Sequence, residues 1–253
     1  MLQDKVAIVT GAGRGLGKAF ALRYAAEGAK LLLPDISLER AEKTAALIRE
    51  KGGQAVAMET DISQEKSTQL VAEKVMQLYG KVDILLNNAA LSGGVDPAAW
   101  DTWTVELWDK FFAINARGTW LCCKAIAPLM VKQKSGKIIN IGSDSVKLDA
   151  SQTLLPYACS KAAIHQLTQS LARALGPSGI NVNTLAPGLT DTEATKLLSQ
   201  REAMFAGTLA IQCIKKMEEP ENLTGTAVFL ASNEADFITG QLILVDGGAT
   251  FAE

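Results

Sequence analysis

A chain of 253 residues can hold two domains, yet a single α/β domain of this size buries one large core, so one domain spanning 1–253 is expected. Apolar residues make up 48% and charged residues 21%, an ordinary globular balance, and the net charge of -2 leaves no basic footprint for nucleic acid, so small molecules are the expected partners. The four cysteines, Cys122, Cys123, Cys159 and Cys213, show no metal-ligand spacing; with no charged-then-apolar leader and no stretch approaching roughly 18 apolar residues, a cytoplasmic chain without membrane span or metal is expected.

Short β-branched or Leu-rich runs follow one another at Lys5–Thr10, Lys30–Asp35, Gln54–Glu59, Val82–Leu86, Lys137–Ile141, Ile180–Leu185 and Gln241–Val245. Between them, stretches such as Leu38–Lys51 and Gln64–Tyr79 repeat apolar residues every three to four positions and predict amphipathic helices. Longer helical stretches around Asp109–Lys132 and Pro156–Leu175 are apolar enough to bury a second face. Strand and helix alternating along a whole chain predict an α/β fold: a Rossmann-type, doubly wound parallel sheet of about seven strands with helices on both faces. Leu189–Glu219 is the one long irregular zone, weakly helical around Glu193–Gln212, and is read as a lid at 189–219. Trp100, Trp103, Trp108 and Trp120 cluster around the helix after the fourth strand and read as packing or oligomer contacts.

The first strand runs into Thr10-Gly11-Ala12-Gly13-Arg14-Gly15-Leu16-Gly17 and then a helical stretch, Lys18–Glu27. A strand-to-helix turn without side chains lets backbone N–H groups and the positive helix end approach a pyrophosphate. Asp35 closes the second strand at the distance where a carboxylate bonds both ribose hydroxyls of an adenosine, which favours NAD over NADP by repelling a 2′-phosphate. Arg14, just before Gly15, pulls the other way. Asp61 has two readings, an acceptor for the adenine amino group or, with Ser63, a cap for the helix at Gln64.

Tyr157 and Lys161 stand four apart in a helical stretch and so share a face. A neighbouring ammonium favours the phenolate, which makes Tyr157 a usable general base. Upstream, the strand Lys137–Ile141 ends in Gly142-Ser143, where chemistry gathers in open α/β sheets, and Ser143 is preferred over Ser145 for holding a substrate oxygen because it comes first after the strand. His165, the only histidine, lies two turns beyond Tyr157 and reads as a surface or subunit contact.

Together, Thr10 to Gly17, Asp35, Asp61, Asn87-Asn88-Ala89-Ala90, Asn115, Ser143, Tyr157 with Lys161, Pro187-Gly188, and Ile238-Thr239-Gly240-Gln241 leading to Val245-Asp246-Gly247-Gly248 resemble the short-chain dehydrogenases/reductases over essentially the whole chain. That resemblance implies a hydride-transferring enzyme in which Tyr157 is the acid/base, Ser143 polarises the carbonyl, Lys161 binds the nicotinamide ribose and depresses the Tyr157 pKa, and Asn115 completes a tetrad. It implies cofactor contacts at Gly11, Arg14, Gly15, Leu16 and Gly17, at Asp35, Asp61 and Ile62, and at Asn88, Ala89 and Ala90. Further contacts follow at Tyr157 and Lys161, then at Pro187, Gly188, Thr190 and Thr192, and a homotetramer is implied too. Departures are Ala90 where the family motif commonly has glycine, Thr190 where an aliphatic residue often stands, and Pro34 ahead of Asp35.

Leu148, Leu154 and Leu155 are expected to form one wall of a substrate pocket, and Leu189, Met204, Phe205 and Leu209 the other. With Ser143 as the polar anchor, such a pocket suits a hydrophobic aryl or cyclic secondary alcohol or its ketone. The C-terminal third looks more like 1-phenylethanol and pyridoxal dehydrogenases than like acyl-carrier-protein reductases. The alternatives are an NADPH-dependent 3-oxoacyl-thioester reductase, for which Lys215 and Lys216 are the nearest basic residues, and a catalytically silent dinucleotide-binding protein, which the presence of all four tetrad residues argues against.

Overall fold

The computed structural model describes residues 1–92 and 95–251, without the side chains of residues 149–151. Seven parallel strands form one sheet in the order β3-β2-β1-β4-β5-β6-β7, namely β1 Val6–Val9, β2 Lys30–Asp35, β3 Gln54–Glu59, β4 Ile84–Asn87, β5 Gly136–Ile141, β6 Ile180–Pro187 and β7 Leu242–Val245. The chain winds outward from β1 to β3, returns to the other side of β1 for β4, and continues to β7. Where that direction reverses, between β1 and β4, no crossover helix closes the carboxyl end of the sheet, and a crevice opens.

Side-chain alternation along the strands builds two cores. Ala7, Val9, Leu31, Leu33, Leu86, Ile139 and Leu185 point to one face, where they meet Phe20 and Tyr24 of α1 (Gly15–Ala26), Ile48 of α2 (Leu38–Glu50) and Leu223 and Val228 of α8 (Pro220–Ala231). The intervening residues Val6, Ile8, Leu32, Leu85, Ile138 and Val182 point to the other, against Val71 and Val75 of α3 (Glu65–Tyr79) and Cys123, Ile126 and Met130 of α5 (Thr119–Gln133). Strands buried on both faces cannot alternate polar with apolar residues, which is why they read as continuous apolar runs.

Local chemistry sets several helix ends. Ser37 accepts the Arg40 N–H at the start of α2, α3 stops at Gly80 with φ of 71°, and α8 begins on a reciprocal capping box between Glu219 and Asn222 with Pro220 at its first position. Asp61 and Ser63 cap nothing: α3 starts after Gln64, and the Asp61 carboxylate takes the Ser63 N–H at 2.9 Å and its hydroxyl at 2.7 Å. The helix expected around Asp109–Lys132 is one run in three parts, α4 (Val105–Phe111), a π-helical turn over Phe112–Gly118, and α5. α6 (Leu155–Leu175) packs on β6 and brings Tyr157 to the carboxyl end of the sheet. The 189–219 segment is more ordered than its sequence suggests. It holds a 3-10 turn at Thr195–Leu197 and α7 (Arg201–Ile211), and its two ends are tied by a bridge between Thr190 and Glu218.

Candidate active site

A cleft of about 1490 Å³ runs across the carboxyl ends of the strands, from the turn after β1 to the 189–219 segment. At one end it is built mostly of backbone. Gly11 and Gly15 adopt φ of 66° and 52°, a conformation open to glycine and strained for other residues. A Cβ on Gly17 would stand 2.1 Å from the Gly11 carbonyl oxygen. Gly17 therefore lies behind the turn, where its lack of a side chain lets helix and strand close up, and it is not on the cleft lining as expected; Gly11, Arg14, Gly15 and Leu16 are.

The first N–H groups of α1 have no acceptor within the helix. One of them, on Gly15, donates to the Glu193 carboxylate at 3.0 Å. A side-chain anion thus sits where a helix N-terminus favours one, which is the test the turn has to pass to hold a pyrophosphate. Asn88 ties the turn to β4 by donating to the Thr10 and Gly11 carbonyls at 3.1 Å each, while Thr10 Oγ1 accepts the Asn88 and Ala89 N–H groups at 3.0 Å. Asn88, Ala89 and Ala90 also face the cleft, as do Asp61 and Ile62.

Asp35 lies at the outer edge of this end, only 6% exposed. Its two oxygens accept the Gly13 and Ser37 N–H groups at 2.9 Å each, and Arg40 Nη2 approaches to 3.4 Å. A carboxylate has about four lone-pair sites, so acceptor capacity remains for ribose hydroxyls. Arg40 was not foreseen from the sequence. It stands on the first turn of α2 and lines the cleft, as Arg14 does, so the carboxylate expected to select the cofactor against the pull of Arg14 has a second cation directly beside it.

At the other end the cleft is built of side chains from distant segments. Ser143 follows β5, and Tyr157 and Lys161 come from α6; all three line the cleft. Lys161 Nζ donates to the Ile141 carbonyl at 2.7 Å and lies 5.7 Å from the centre of the Tyr157 ring. Burial pulls the Lys161 ammonium down to about 7. The Tyr157 hydroxyl is pushed up to about 12 by desolvation, with a hydrogen bond to Ser143 opposing and the Asp144 charge adding to the rise. Lys161, expected to depress the Tyr157 pKa, is not among the groups that shift it here, its Nζ being committed to a backbone carbonyl.

Asn115 is fully buried in the π-helical turn and does not reach the cleft. Its amide accepts the Leu91 N–H at 2.7 Å and donates to the Leu91 carbonyl at 3.1 Å and to Ser160 Oγ at 3.0 Å, and Ser160 in turn donates to the Tyr157 carbonyl at 2.7 Å. It braces the turn of α6 that carries Tyr157. π-helical turns inside α-helices recur at functional sites.

Of the expected walls, Leu148, Leu154, Leu189 and Met204 line the cleft, beside Pro187, Gly188, Thr190 and Thr192. Leu155, Phe205 and Leu209 do not. On α7 the cleft-facing residues are Ala203, Met204, Gly207, Thr208 and Ile211; Phe205, one position round from Met204, turns inward beneath the Arg201 guanidinium at 4.8 Å, and Leu209 repeats its position one turn later. Trp103, read as a packing residue, is on the cleft wall and stands edge-on to Phe111, which stands edge-on to Tyr157. His165 does not line the cleft; its Nε2 lies 3.4 Å from Gln169 Nε2.

Three buried acids behind this end were also missed. Asp144 follows Ser143 directly, while Glu218 and Asp246 flank Gly188, on which a Cβ would meet Glu218 Oε2 at 3.1 Å and the Asp246 Cβ at 3.0 Å. Glu218 accepts the Thr190 hydroxyl at 2.6 Å, and Asp246 accepts from the Gly248 N–H and from both Thr250 donors. Burial raises Glu218 to about 7, with the Asp246 charge adding to the shift. Among the described residues no group of three or more His, Cys, Asp or Glu side chains is arranged to hold a metal ion, and no helix is long and apolar enough to cross a membrane.

Residues 11–250 match a family model described as enoyl-(acyl carrier protein) reductase. A (2S)-[(R)-hydroxy(phenyl)methyl]succinyl-CoA dehydrogenase subunit from Thauera aromatica is 34% identical over 98% of this chain and 97% of its own. A galactitol 2-dehydrogenase from Agrobacterium fabrum is 38% identical, with 98% of each chain covered. Among solved structures, a 7α-hydroxysteroid dehydrogenase complexed with NADH and 7-oxo glycochenodeoxycholic acid superposes with a TM-score of 0.91 at 34% identity, covering 98% of this chain and 94% of that one.

Proposed function

The chain belongs to the short-chain dehydrogenase/reductase family of NAD(P)-dependent enzymes acting on alcohols and ketones, and we propose that it interconverts a hydrophobic aryl or cyclic secondary alcohol and its ketone with NAD(H). One observation carries this reading. Tyr157 and Ser143 stand together on the wall of a cleft that Leu148, Leu154, Leu189 and Met204 also line, so an apolar body can rest against that lining while its single oxygen reaches two hydroxyls. The names of two similar proteins, one with a hydroxy(phenyl)methyl group and one with a steroid, fit such a lining; galactitol fits it less well.

In this reading, Tyr157 takes the hydroxyl proton of the alcohol as the carbonyl forms, and returns it in the reverse direction. A nicotinamide dinucleotide, when bound, accepts the hydride that leaves the carbinol carbon, or supplies it to the ketone. Ser143 holds the substrate oxygen, Lys161 supports Tyr157, and Asn115 fixes the turn of α6 from behind. The Gly11 to Leu16 turn would hold the pyrophosphate, Asp35 the adenosine ribose, and Pro187, Gly188, Thr190 and Thr192 the nicotinamide end. Asp35 favours NAD because two of its acceptor positions are already fixed by backbone N–H groups, leaving a rigid carboxylate edge toward the ribose. The 189–219 segment acts as the lid, and the assembly is a homotetramer of the cytoplasm.

Initial rates of NADH and NADPH formation with aryl, cyclic and polyhydroxy alcohols test this, beside NADPH-dependent reduction of a short 3-oxoacyl thioester. The reading expects NAD-linked oxidation of the aryl or cyclic alcohols to be fastest. Preference for NADPH and the thioester would overturn it and show that Arg14 and Arg40 outweigh Asp35.

A further inference from the structure

Among the described residues Asp144 is the one acid hydrogen-bonded to Ser143, which holds the substrate oxygen in the proposed reaction, and nothing in that reaction uses it. It opens a short 3-10 turn, Asp144–Val146, directly after Ser143, and is 4% exposed at the cleft wall. Oδ1 lies 3.3 Å from Ser143 Oγ, and Oδ2, equally buried, has no partner. The charged groups that act on it from neighbouring elements are acids, Glu218 at the end of the 189–219 segment and Asp246 after β7. From α6 it faces the Tyr157 phenol, while the Lys161 ammonium is spent on the Ile141 carbonyl and Lys147, on the same turn, is exposed. A carboxyl so placed is held by the Ser143 hydroxyl and the Ser145 N–H, and by no cation.

A serine hydroxyl has one proton to give and two lone pairs. One lone pair of Ser143 already accepts the Ser145 N–H at 3.1 Å, and Ser143 also hydrogen-bonds the Tyr157 hydroxyl, a position that the substrate oxygen takes when it enters between them. When Asp144 is ionised it can only accept, so it draws the Ser143 proton and leaves Ser143 an acceptor toward the substrate. When Asp144 is protonated it donates into the second lone pair, and the Ser143 proton is free for a carbonyl oxygen.

We propose that Asp144 is a positioning residue whose proton decides whether Ser143 donates to a ketone or accepts from an alcohol, so that one site is set for reduction in one state and for oxidation in the other. This rests on the hydride-transfer reading above. Burial and the two neighbouring acids raise the Asp144 carboxyl to about 7, which puts the change of state at neutral pH. No atom is gained or lost beyond the proton that Asp144 exchanges with solvent.

The test compares pH profiles of wild type and Asp144→Asn, whose amide N–H donates to Ser143 at every pH. For wild type, kcat/KM for ketone reduction falls about tenfold per pH unit above the Asp144 transition, while that for oxidation rises through the same window. Asp144→Asn loses the Asp144 part of the fall in reduction and of the rise in oxidation between pH 6 and 8, leaving only the change that Lys161 brings over the same window. Coincident profiles for the two proteins would sink the proposal. A second reading needs no substrate and no variant: carbon NMR of wild type carrying labelled aspartate carboxyls shows one aspartate titrating near pH 7, and an absence of any such titration between 6 and 8 overturns the assignment whatever the variant does. A wild type that titrates as stated but turns over none of the alcohols or ketones would overturn the hydride-transfer reading itself, and Asp144's role with it.

Discussion

The two ends of the cleft are made differently. At the dinucleotide end a run of eight neighbouring residues, Thr10 to Gly17, folds on itself, and its contacts are backbone N–H groups, carbonyls and the space left by missing side chains. At the substrate end Ser143, Asp144, Tyr157, Lys161, Glu218 and Asp246 arrive from β5, α6, the 189–219 segment and the loop after β7, and what matters is which of their buried groups hold protons. An end built from backbone tolerates changes of solvent and pH but no added carbon. An end built from desolvated side chains tolerates changes of shape but is exposed to every change of charge.

Substitutions at each end sharpen that contrast. The largest effect falls on the substrate end: Tyr157→Phe is expected to retain NADH binding, read by fluorescence titration, while turnover falls roughly two to four orders of magnitude. Full activity would remove Tyr157 from the proton step. Gly17→Val probes the other end through packing alone. With the Gly11 carbonyl 2.1 Å from the added carbon, helix and strand must part, and we expect a loss of several degrees in melting temperature together with lost dinucleotide binding. An unchanged Gly17→Val protein would contradict the close approach of α1 to the turn.

Asp35→Ser comes next in size. It removes the carboxylate beside Arg40, and the ratio of kcat/KM for NADPH over NADH is expected to rise on the order of tenfold or more, since each 1.4 kcal/mol of like-charge repulsion relieved is about a factor of ten. A ratio that stays put would show that the cofactor is chosen elsewhere.

The smallest effect is on stability. Asp144 and Glu218 are raised in the folded chain to about 7, so the folded state binds more protons than the unfolded one between the ordinary carboxylate range and neutrality. The stability they contribute is fully present below the unfolded pKa, near 4, and is lost as pH rises to about 7. Lys161, lowered to about 7, acts in the opposite sense above that point, because only the unfolded chain keeps that ammonium protonated there. Scanning calorimetry should therefore find a melting temperature that declines by a few degrees from pH 5 to 7, and Glu218→Gln should flatten part of that decline. A melting temperature that rises over this interval in wild type would contradict the buried acids.

The same contrast explains what the sequence made legible. Apolar runs of strand length and the glycine spacing are local, and they located all seven strands and the turn before β1 met any partner. Helical periodicity is also local, but it does not count residues within a turn, so the π-helical insertion at Phe112–Gly118, which sets the direction of Asn115, was invisible. The inward turn of Phe205 and the turn of Leu155 away from the cleft depend on what α7 and α6 pack against, and a leucine or phenylalanine in an apolar stretch carries no mark of the face it takes. Asp144 stood beside a residue already singled out, yet only burial and the arrival of Glu218 and Asp246 from distant positions give its carboxyl a purpose. Arg40 was likewise ordinary helix surface until Asp35 was seen to face it.

The contact between Glu193 and the Gly15 N–H carries a consequence for how the cleft fills. If the pyrophosphate binds there as proposed, it would displace a resident carboxylate, so dinucleotide entry would be an exchange of one charged partner for another and the affinity measured the difference between the two. The displaced Glu193 belongs to the segment whose far end, Glu218, faces Asp144. On the proposed reading, arrival of the phosphates at one end would undo one contact of the segment that walls the other.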